Sequence, residues 1–200
     1  MVISPDSHYC LVLQGYFDFR ACYDCGIEIS DSYNIRINIP KLFPRILPQV
    51  KEIGNMIPRD GKHHINIDDD TLCLGSPLRL FYLLSKKPSL LGFAEYCLVP
   101  YLYGITFKRM YGKFPGGELE HGNKGILNDY MELLELPTPS QVIETLNLLG
   151  LKKRHANKYN CPCGCGIRLG RCVYHLKLSQ FRKIVSRTQF KKWAKDLSKN

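Results

Sequence analysis

The sequence predicts an α+β fold, in which an antiparallel sheet comes first and helices follow. Two observations carry this prediction: strand patterns occupy residues 9–53, and helical patterns begin at residue 90. Strands followed by helices are typical of α+β proteins, where the helices pack against an antiparallel sheet. With 200 residues, of which 44% are hydrophobic and 23% charged, the chain has the composition of a globular protein.

The strands are predicted from the alternation of apolar and polar residues. In "LVLQGYFDF" the apolar residues of one face are Leu11, Leu13, Phe17 and Phe19. Gly15 is a candidate bulge. "GIEIS" forms the next strand, "DS" a turn, and "YNIRINI" a further strand in which every second residue is apolar. With another strand near residues 50–53, these segments predict an antiparallel meander of about four strands.

The next segment is rich in proline, since Pro40, Pro44 and Pro48 are each four residues apart. Neither a helix nor a central strand accepts proline at this density, so an extended and stiff connection is predicted. Apolar periodicity then predicts helices over residues 90–102, 126–136 and 140–149. The sequence "PTPS" before the last of them combines a helix stop with an N-cap.

Basic residues are concentrated at the C-terminus. Residues 151–200 contain 14 Lys and Arg and one acid, Asp196, whereas residues 1–150 contain 14 basic and 17 acidic residues; the net charges are +13 and −3. This contrast predicts a first domain over 1–150 and a basic module over 151–200. Because positive charge attracts anions, contact of the module with nucleic acid or a ribonucleoprotein is one hypothesis.

The sequence favours a cytoplasmic protein without a membrane partner. "MVISPDSHYC" has neither the basic nor the apolar part of a secretory signal. Nine cysteines, an odd number, argue against a disulfide framework. The most apolar window, residues 89–105, contains Glu95 and Pro100 and predicts a core helix that breaks near Pro100.

The stretch "YNIRINIPKLFPRILPQVKEI", followed by "HHINIDDDTLCLG", resembles the core of ubiquitin-conjugating enzymes. That family has a meander, a segment Pro-x-x-Tyr/Phe-Pro-x-x-x-Pro, another strand, and His-Pro-Asn about ten residues before the catalytic cysteine. The residues that match the proline segment are Pro40, Phe43, Pro44 and Pro48. His63 stands ten residues before Cys73, which lies within Leu-Cys-Leu. The resemblance covers about residues 9–80 and is expected to extend to 150.

The chain departs from that family in three places. It has no helix before its first strand, it replaces the Pro and Asn of the tripeptide by His64 and Ile65, and it lacks the downstream tryptophan segment. These departures resemble divergent bacterial conjugating-enzyme-like proteins, some of which occur in anti-phage operons with cyclic-nucleotide synthases. The resemblance implies a transferase that carries a ubiquitin-like or operon-encoded protein as a thioester on Cys73 and passes it to an amine.

The residues around Cys73 suggest how such a thiol would work. A cysteine that accepts and donates an acyl group must reach solvent and react as a thiolate. Asp68, Asp69 and Asp70 are expected to raise the pKa of the Cys73 thiol. A raised pKa suits exchange with an activated thioester better than proteolysis. Alternatively, these carboxylates orient or deprotonate an incoming lysine amine.

Further side chains are candidates for stabilising the tetrahedral oxyanion or moving a proton. The family takes its oxyanion donor from the Asn of the tripeptide; Asn66 is displaced by one position, and the alternatives are His63, His64 and His121. In the glycine-rich "GELEHG", Glu118 and His121 form a candidate base with an orienting partner.

Each of these residues also has a purely structural interpretation. A cysteine after a strand often fills space, "DDD" is usually a solvated turn, and adjacent histidines fit the end of a strand. Cys22 and Cys25 form a C-x-x-C pair that is interpreted as a β-turn. The alternative function is therefore an inactive conjugating-enzyme fold that acts as an adaptor, with its C-terminal module bound to a protein or nucleic acid.

The segment "CPCGCGIRLGRCVYH" predicts a structural zinc site. The predicted Zn²⁺ ligands are Cys161, Cys163, Cys172 and His175, with Cys165 as the substitute if His175 is not a ligand. The segment resembles the SEC-C zinc motif, Cys-Pro-Cys-Gly-x-Gly with a later Cys and a Cys or His, but Cys165 occupies the x position and His175 comes late. A closed set of four ligands in so small a module implies zinc for folding rather than for catalysis.

Behind the cysteines, "LSQFRKIVSRTQFKKWAKDL" predicts one basic amphipathic helix. Its apolar side consists of Phe181, Ile184, Val185, Phe190 and Trp193. Such a helix packs on the domain, binds a partner protein or contacts nucleic acid. Relatives of the zinc motif act as docking modules. A protein or ribonucleoprotein partner therefore agrees with the resemblance as well as DNA does.

Overall fold

The computed structural model describes residues 1–5, 11–23, 26–116, 120 and 122–199. In this part of the chain, four antiparallel strands lie in sequence order in one sheet and helices follow, so the α+β prediction is confirmed. The strands are β1 (Val2–Ser4), β2 (Leu11–Cys22), β3 (Glu28–Ile39) and β4 (Gln49–Glu52). The helices are α1 (Pro77–Lys86), α2 (Leu90–Phe93), α3 (Val99–Tyr111), α4 (Gly122–Leu134), α5 (Pro139–Gly150), α6 (Lys153–Ala156), α7 (Tyr174–Ile184) and α8 (Arg187–Leu197).

Strands β2 and β3 form a long hairpin without a bulge. All 12 residues of β2 pair in one register with β3, so the bulge predicted at Gly15 is wrong. Gly15 (φ +139°) instead lies where a Cβ atom would come within 2.9 Å of the Met1 Cα. The glycine is therefore required by the close approach of the N-terminal residue.

The turn predicted at "DS" is also wrong, because both residues lie inside β3. The Asp31 carboxylate accepts a hydrogen bond from the Thr106 hydroxyl at 2.8 Å and pairs with the Arg109 guanidinium at 2.7 Å. Both partners belong to α3. These tertiary contacts outweigh the local preference of Asp-Ser for a turn.

The proline-rich connection consists of turns rather than extended chain, which corrects the prediction. The Phe43 N–H donates to the Pro40 carbonyl at 3.0 Å, and the Arg45 N–H donates to the Leu42 carbonyl at 2.7 Å. Proline is well suited to such positions because its φ angle is already that of a turn residue. The segment therefore folds back on itself before it enters β4.

The helix predicted to break near Pro100 is continuous from Leu90 to Tyr111. A π-helical turn, Ala94–Leu98, lies immediately before the proline and joins α2 to α3. This wider turn accommodates a residue that has no N–H and whose ring would clash with a carbonyl of the preceding turn. Among the described residues, this one helix has the length (22 residues) and mean hydropathy (1.3) to cross a membrane, and 56% of its apolar window is buried in the protein, as in a core helix.

The chain divides into two compact units. The first unit comprises Met1–Gly75 and Leu83–Glu118, and the second comprises Ser76–Tyr82 and Leu119–Asn200. The boundary predicted at residue 150 falls inside the second unit, where α8 packs on α5. The assignment of separate roles to residues 1–150 and 151–200 stays a prediction.

Each unit has its own apolar core. In the first, Tyr33 and Ile35 of β3 are fully buried, and so is Leu102 of α3. In the second, the residues buried to the same degree include Tyr130, Leu134, Val142, Leu146 and Phe190. The Thr138 side chain caps α5 by accepting the Gln141 N–H at 3.3 Å, as "PTPS" predicted.

The basic amphipathic helix predicted near the C-terminus is two helices, α7 and α8. They separate at Val185 and Ser186, and the Ser186 hydroxyl caps α8 by accepting the Gln189 N–H at 3.2 Å. Phe181 and Phe190 are no more than 1% exposed. The apolar side is therefore used for packing within the second unit. Arg182 also takes part in this packing, because its guanidinium donates to the carbonyls of Leu148, Leu149 and Leu151.

Candidate functional site

Cys73 lies at the end of a short hairpin in the first unit. Ile65 is bridged to Leu72, and the Cys73 N–H donates to the His64 carbonyl at 2.8 Å. The Leu72 N–H donates to the Val50 carbonyl at 2.8 Å, which attaches the hairpin to β4. Cys73 is an exposed residue that follows two buried ones. The sheet thus holds a thiol at the protein surface, where a reagent reaches it.

Although Cys73 as a residue is exposed, the neighbouring chain removes enough water from its sulfur to raise the pKa of the thiol, and a hydrogen bond with the Gly75 N–H partly offsets this rise. The predicted direction is correct, but the predicted cause is not, because the aspartates are not among the groups that raise this pKa. Asp68, Asp69 and Asp70 are all exposed to solvent.

The three aspartates belong to the turn of the hairpin. Asp69 accepts hydrogen bonds from the N–H and the hydroxyl of Thr71, at 3.0 and 2.6 Å, and the hydroxyl bond lowers the pKa of this carboxyl. Asp70 adopts a left-handed conformation (φ +56°) and donates its N–H to the Asn66 carbonyl at 2.9 Å. Their contacts are those of turn residues.

Tyr101 of α3 is a member of the site that sequence reasoning missed. Its hydroxyl donates to the His63 carbonyl at 2.9 Å. Burial holds the pKa of Tyr101 far above its usual range, and the charge of a nearby Cys73 thiolate would raise this pKa further. A tyrosine in an apolar helix has the sequence pattern of a core residue, so no sequence signal distinguished it.

The side chains of His63 and His64 make different contacts. The His63 Nδ1 lies 2.6 Å from the Asp60 carboxylate, and this hydrogen bond lowers the pKa of Asp60. His64 is left-handed (φ +53°), and its ring meets the Phe114 ring edge-on at 5.3 Å between centroids. His64 is therefore beside Cys73 along the hairpin backbone, whereas His63 faces the preceding turn.

Asn66, the candidate oxyanion donor, uses its amide within the hairpin turn. Its Nδ2 donates to the Thr71 hydroxyl at 2.8 Å. Glu118 and His121, the candidate base and its partner, lie outside the described residues. Cys22 is exposed at the end of β2, and Cys25 is also outside the described part of the chain.

A buried carboxylate fixes the loop that leads to this hairpin. Glu52 is 1% exposed, and its oxygens accept N–H groups of Gly54 at 2.5 Å, Met56 at 3.2 Å and Ile57 at 3.5 Å. The Arg59 guanidinium lies 3.6 Å from the same carboxylate. A charged acceptor strengthens each of these hydrogen bonds, so Glu52 holds the loop in one conformation.

Replacing Glu52 with glutamine should lower the free energy of unfolding by about 2–3 kcal/mol, because a buried amide satisfies fewer N–H donors than a carboxylate does. Denaturant titration of the first unit's tertiary signal would measure this. The matched control is Glu95→Gln, which removes a half-exposed pair with Lys87 at 2.9 Å and should cost less than about 1 kcal/mol. Equal effects of the two variants would contradict the anchoring role.

The raised pKa of Cys73 predicts how its reactivity depends on pH. Because the raised pKa lowers the thiolate fraction at pH 7, alkylation by iodoacetamide should be slower than in a peptide with the same residues 70–76. The alkylation rate of the peptide should level off once the pH has passed the ordinary cysteine pKa of about 8.5. The alkylation rate of the protein should continue to increase at that pH. Mass spectrometry of the tryptic peptide that contains Cys73 measures both. A plateau in the protein at lower pH than in the peptide would contradict the prediction.

The C-terminal cysteines converge in the second unit. The ligand atoms of Cys161, Cys163, Cys165 and Cys172 all lie within 4.8 Å of one another. The Cys163 sulfur is 3.2 Å from that of Cys161 and 3.7 Å from that of Cys172. Four Zn–S bonds of about 2.3 Å place sulfurs at this kind of spacing. The four thiols could therefore hold a metal ion.

The fourth member of the cluster is the thiol of Cys165. The sequence favoured His175 as the fourth zinc ligand, with Cys165 as its substitute. The His175 Nδ1 lies 2.6 Å from the Cys172 carbonyl, and its ring is not part of the thiol cluster. Gly164 (φ +85°) and Gly166 (φ +76°) on either side of Cys165 adopt left-handed conformations that bring its sulfur back to the others.

Backbone N–H groups approach the thiol cluster. The Tyr174 N–H donates to the Cys172 sulfur at 3.4 Å. Burial raises the pKa of the Cys161 and Cys163 thiols, and neighbouring backbone N–H groups partly offset this rise. The Ile167 N–H is the main reason why the pKa of Cys165 is lowered. Donors in this arrangement stabilise thiolates, and four thiolates in a tetrahedron suit zinc. The donor set thus fits the structural zinc that the sequence predicts.

Comparison of the chain with protein-family models, with curated proteins and with solved structures found no match. The comparisons identify neither a ubiquitin-conjugating-like domain nor a SEC-C motif in it. Both resemblances therefore stay hypotheses, and the two candidate sites are defined by their own geometry.

Proposed function

We propose that the protein is an acyl carrier that forms a thioester on Cys73 and transfers the acyl group to an amine. The observation that carries this proposal is the position of Cys73: an exposed thiol on a hairpin that is fixed to the sheet, beside His64 and near Tyr101. A cysteine that only fills space would be buried, as Cys97 is at 2% exposure.

The reaction has two displacement steps. The Cys73 thiolate attacks the carbonyl carbon of an incoming thioester, a C–S bond forms, and the donor leaves as a thiolate. An amine then attacks the new thioester, a C–N bond forms, the C–S bond breaks, and the amine proton goes to the departing Cys73 sulfur or to solvent. Because the donor is already activated, a thiol of raised pKa is sufficient for the first step.

The proposed roles of the neighbours follow from their contacts. The Gly75 N–H, which interacts with the Cys73 sulfur, is a donor for the oxyanion of the tetrahedral intermediate. Tyr101 positions the His63–His64 backbone through its hydrogen bond to the His63 carbonyl. The zinc of the second unit would be structural, since four thiolates leave no open coordination position.

The resemblance to divergent bacterial conjugating-enzyme-like proteins supports a more specific form of this proposal. The acyl group would then be the C-terminus of a ubiquitin-like or operon-encoded protein, in a cytoplasmic anti-phage system. The order and spacing of the proline segment, His63 and Cys73 support it.

A second candidate function is an inactive adaptor of the same fold. Asn66 favours it, because its amide is occupied by the Thr71 hydroxyl at 2.8 Å and belongs to the hairpin turn. In this form the second unit alone would engage a partner, and Cys73 would stay a free thiol.

Intact mass separates the two candidates. The protein is incubated with a peptide thioester that ends in glycine, as a minimal donor, and its mass is measured with and without a thiol reductant. The carrier should gain the mass of one acyl group and lose it on reduction. No adduct at pH 8–9, where the thiolate fraction is larger, would contradict the carrier and support the adaptor.

A further inference from the structure

The loop around the thiol cluster displays an aromatic ring among cations. The residues concerned are Lys158, Tyr159, Arg168 and Arg171, together named the Tyr159 surface, and all four are exposed. Tyr159 has 56% of its surface open to solvent. Asn160 is bridged to Arg168. The Leu169 N–H donates to the Tyr159 carbonyl at 2.9 Å. The two chain segments therefore run antiparallel and bring the four residues together.

This surface is held in one conformation by its backbone. The Cys161 N–H donates to the Ile167 carbonyl at 2.8 Å, and the Gly170 N–H donates to the Asn157 carbonyl at 3.2 Å. Gly170 packs so closely that a Cβ atom there would come within 2.9 Å of the Asn157 Cβ. Because the thiol cluster closes one end of the same loop, the backbone of the surface is ordered before any ligand arrives, which lowers the entropic cost of binding.

The cations of the Tyr159 surface have no ion-pair partner among the described residues. The single acid after residue 150 is Asp196, which pairs with Lys199 at 3.5 Å. A patch of unneutralised cations attracts phosphate, and an exposed ring offers a face for stacking. The Tyr159 surface has both the unneutralised cations and the exposed ring.

We propose that the Tyr159 surface binds single-stranded nucleic acid, with one base stacked on the Tyr159 ring and neighbouring phosphates held by Lys158, Arg168 and Arg171. Single strands are favoured over duplexes because their bases are free to stack on a side chain. This activity is separate from the acyl transfer proposed for Cys73, so the Cys73→Ala variant should bind nucleic acid like the wild type.

Fluorescence anisotropy with the full-length zinc-loaded protein tests the proposal. The probes are labelled oligo-uridine and oligo-deoxythymidine of about 12 nucleotides, a length within the usual site sizes. Binding of either probe that weakens with salt is expected, and the ratio between them shows whether the ribose hydroxyl contributes. Three phosphate contacts predict a slope of about −2 in a plot of log affinity against log salt concentration. Failure to bind either probe would overturn the proposal.

Two variants separate stacking from charge. Tyr159→Ala should weaken binding about tenfold without changing the salt slope, and Tyr159→Phe should bind within about twofold of the wild type, because the ring is retained. Arg168→Ala with Arg171→Ala should weaken binding and reduce the slope by about 1.4 in magnitude. Equal affinity of wild type and Tyr159→Ala would contradict the stacking role.

A matched control tests whether position matters or only charge. Lys192 and Lys195 of α8 are exposed as well, and replacing both with alanine removes the same charge elsewhere in the second unit. This variant should retain most of the affinity. Equal losses for the two double variants, or equally tight binding of poly-glutamate, would overturn the proposal in favour of diffuse attraction or an acidic protein partner. Zinc content and circular dichroism of each variant should match the wild type.

Discussion

Replacing Cys161 with serine is expected to abolish zinc binding and to destabilise the second unit. Cys161 is 5% exposed, and its sulfur lies 3.2 Å from that of Cys163. A serine hydroxyl does not replace a thiolate in a zinc site. In small zinc modules the metal supplies an apparent binding free energy of about 10–16 kcal/mol that is largely folding free energy. Metal analysis should show a fall from about one zinc per chain to none, and far-UV circular dichroism should lose helical signal.

Further variants define which side chains hold the metal. Cys165→Ser should also lose zinc, whereas His175→Ala should keep it, because the His175 ring bonds the Cys172 carbonyl. Cys22→Ser is the control, since Cys22 is an exposed thiol of the first unit. A Cys161→Ser protein that retains both zinc and helical signal would contradict the assignment of the site.

Replacing Cys73 with alanine is expected to eliminate the acyl adduct completely, and replacing it with serine is expected to trap it. Alanine has no nucleophile. A serine ester is much less reactive toward amines than a thioester, so the acyl group should accumulate on Cys73→Ser and resist reductant. Because Cys73 is exposed, neither change leaves a cavity, and the free energy of unfolding should change by less than about 1 kcal/mol.

Intact mass with and without reductant distinguishes these states, and peptide mapping locates the modified residue. The matched control is Cys22→Ala, which removes another exposed thiol and should leave the adduct unchanged. An adduct of full yield on Cys73→Ala would show that a different cysteine reacts, and the carrier proposal for Cys73 would be wrong.

The centre of the sheet was predictable because the second half of β3 alternates between apolar and polar residues. Ile35, Ile37 and Ile39 are all buried in β3, and their period of two specifies one face. The position of Asp31 inside β3 was not predictable, since the contacts that keep it in the strand come from Thr106 and Arg109, some 75 residues later. Local preference was overridden by tertiary contacts there. At Pro100 the helix continues because a π-helical turn precedes the proline.

The candidate sites, like the sheet, were predictable from the sequence only in part. The converging thiols were predictable because all four cysteines lie within 12 residues, where spacing nearly determines geometry. The position of Cys165 in the thiol cluster depends on left-handed glycines that spacing does not reveal. Tyr101 reaches the hairpin from a distant helix. Helix α1 was not predicted because its apolar residues follow directly on the proline and glycine of a turn.

The segment Ser76–Tyr82 belongs to the second unit although residues of the first unit precede and follow it. Its Leu78 N–H donates to the Tyr130 hydroxyl at 3.2 Å, and its Phe81 ring lies 6.3 Å from the Trp193 ring. During translation this segment emerges from the ribosome long before Trp193 is made. Completion of the second unit must therefore wait until Trp193 has left the ribosome, and a truncated nascent chain would leave these apolar residues exposed to chaperones and proteases.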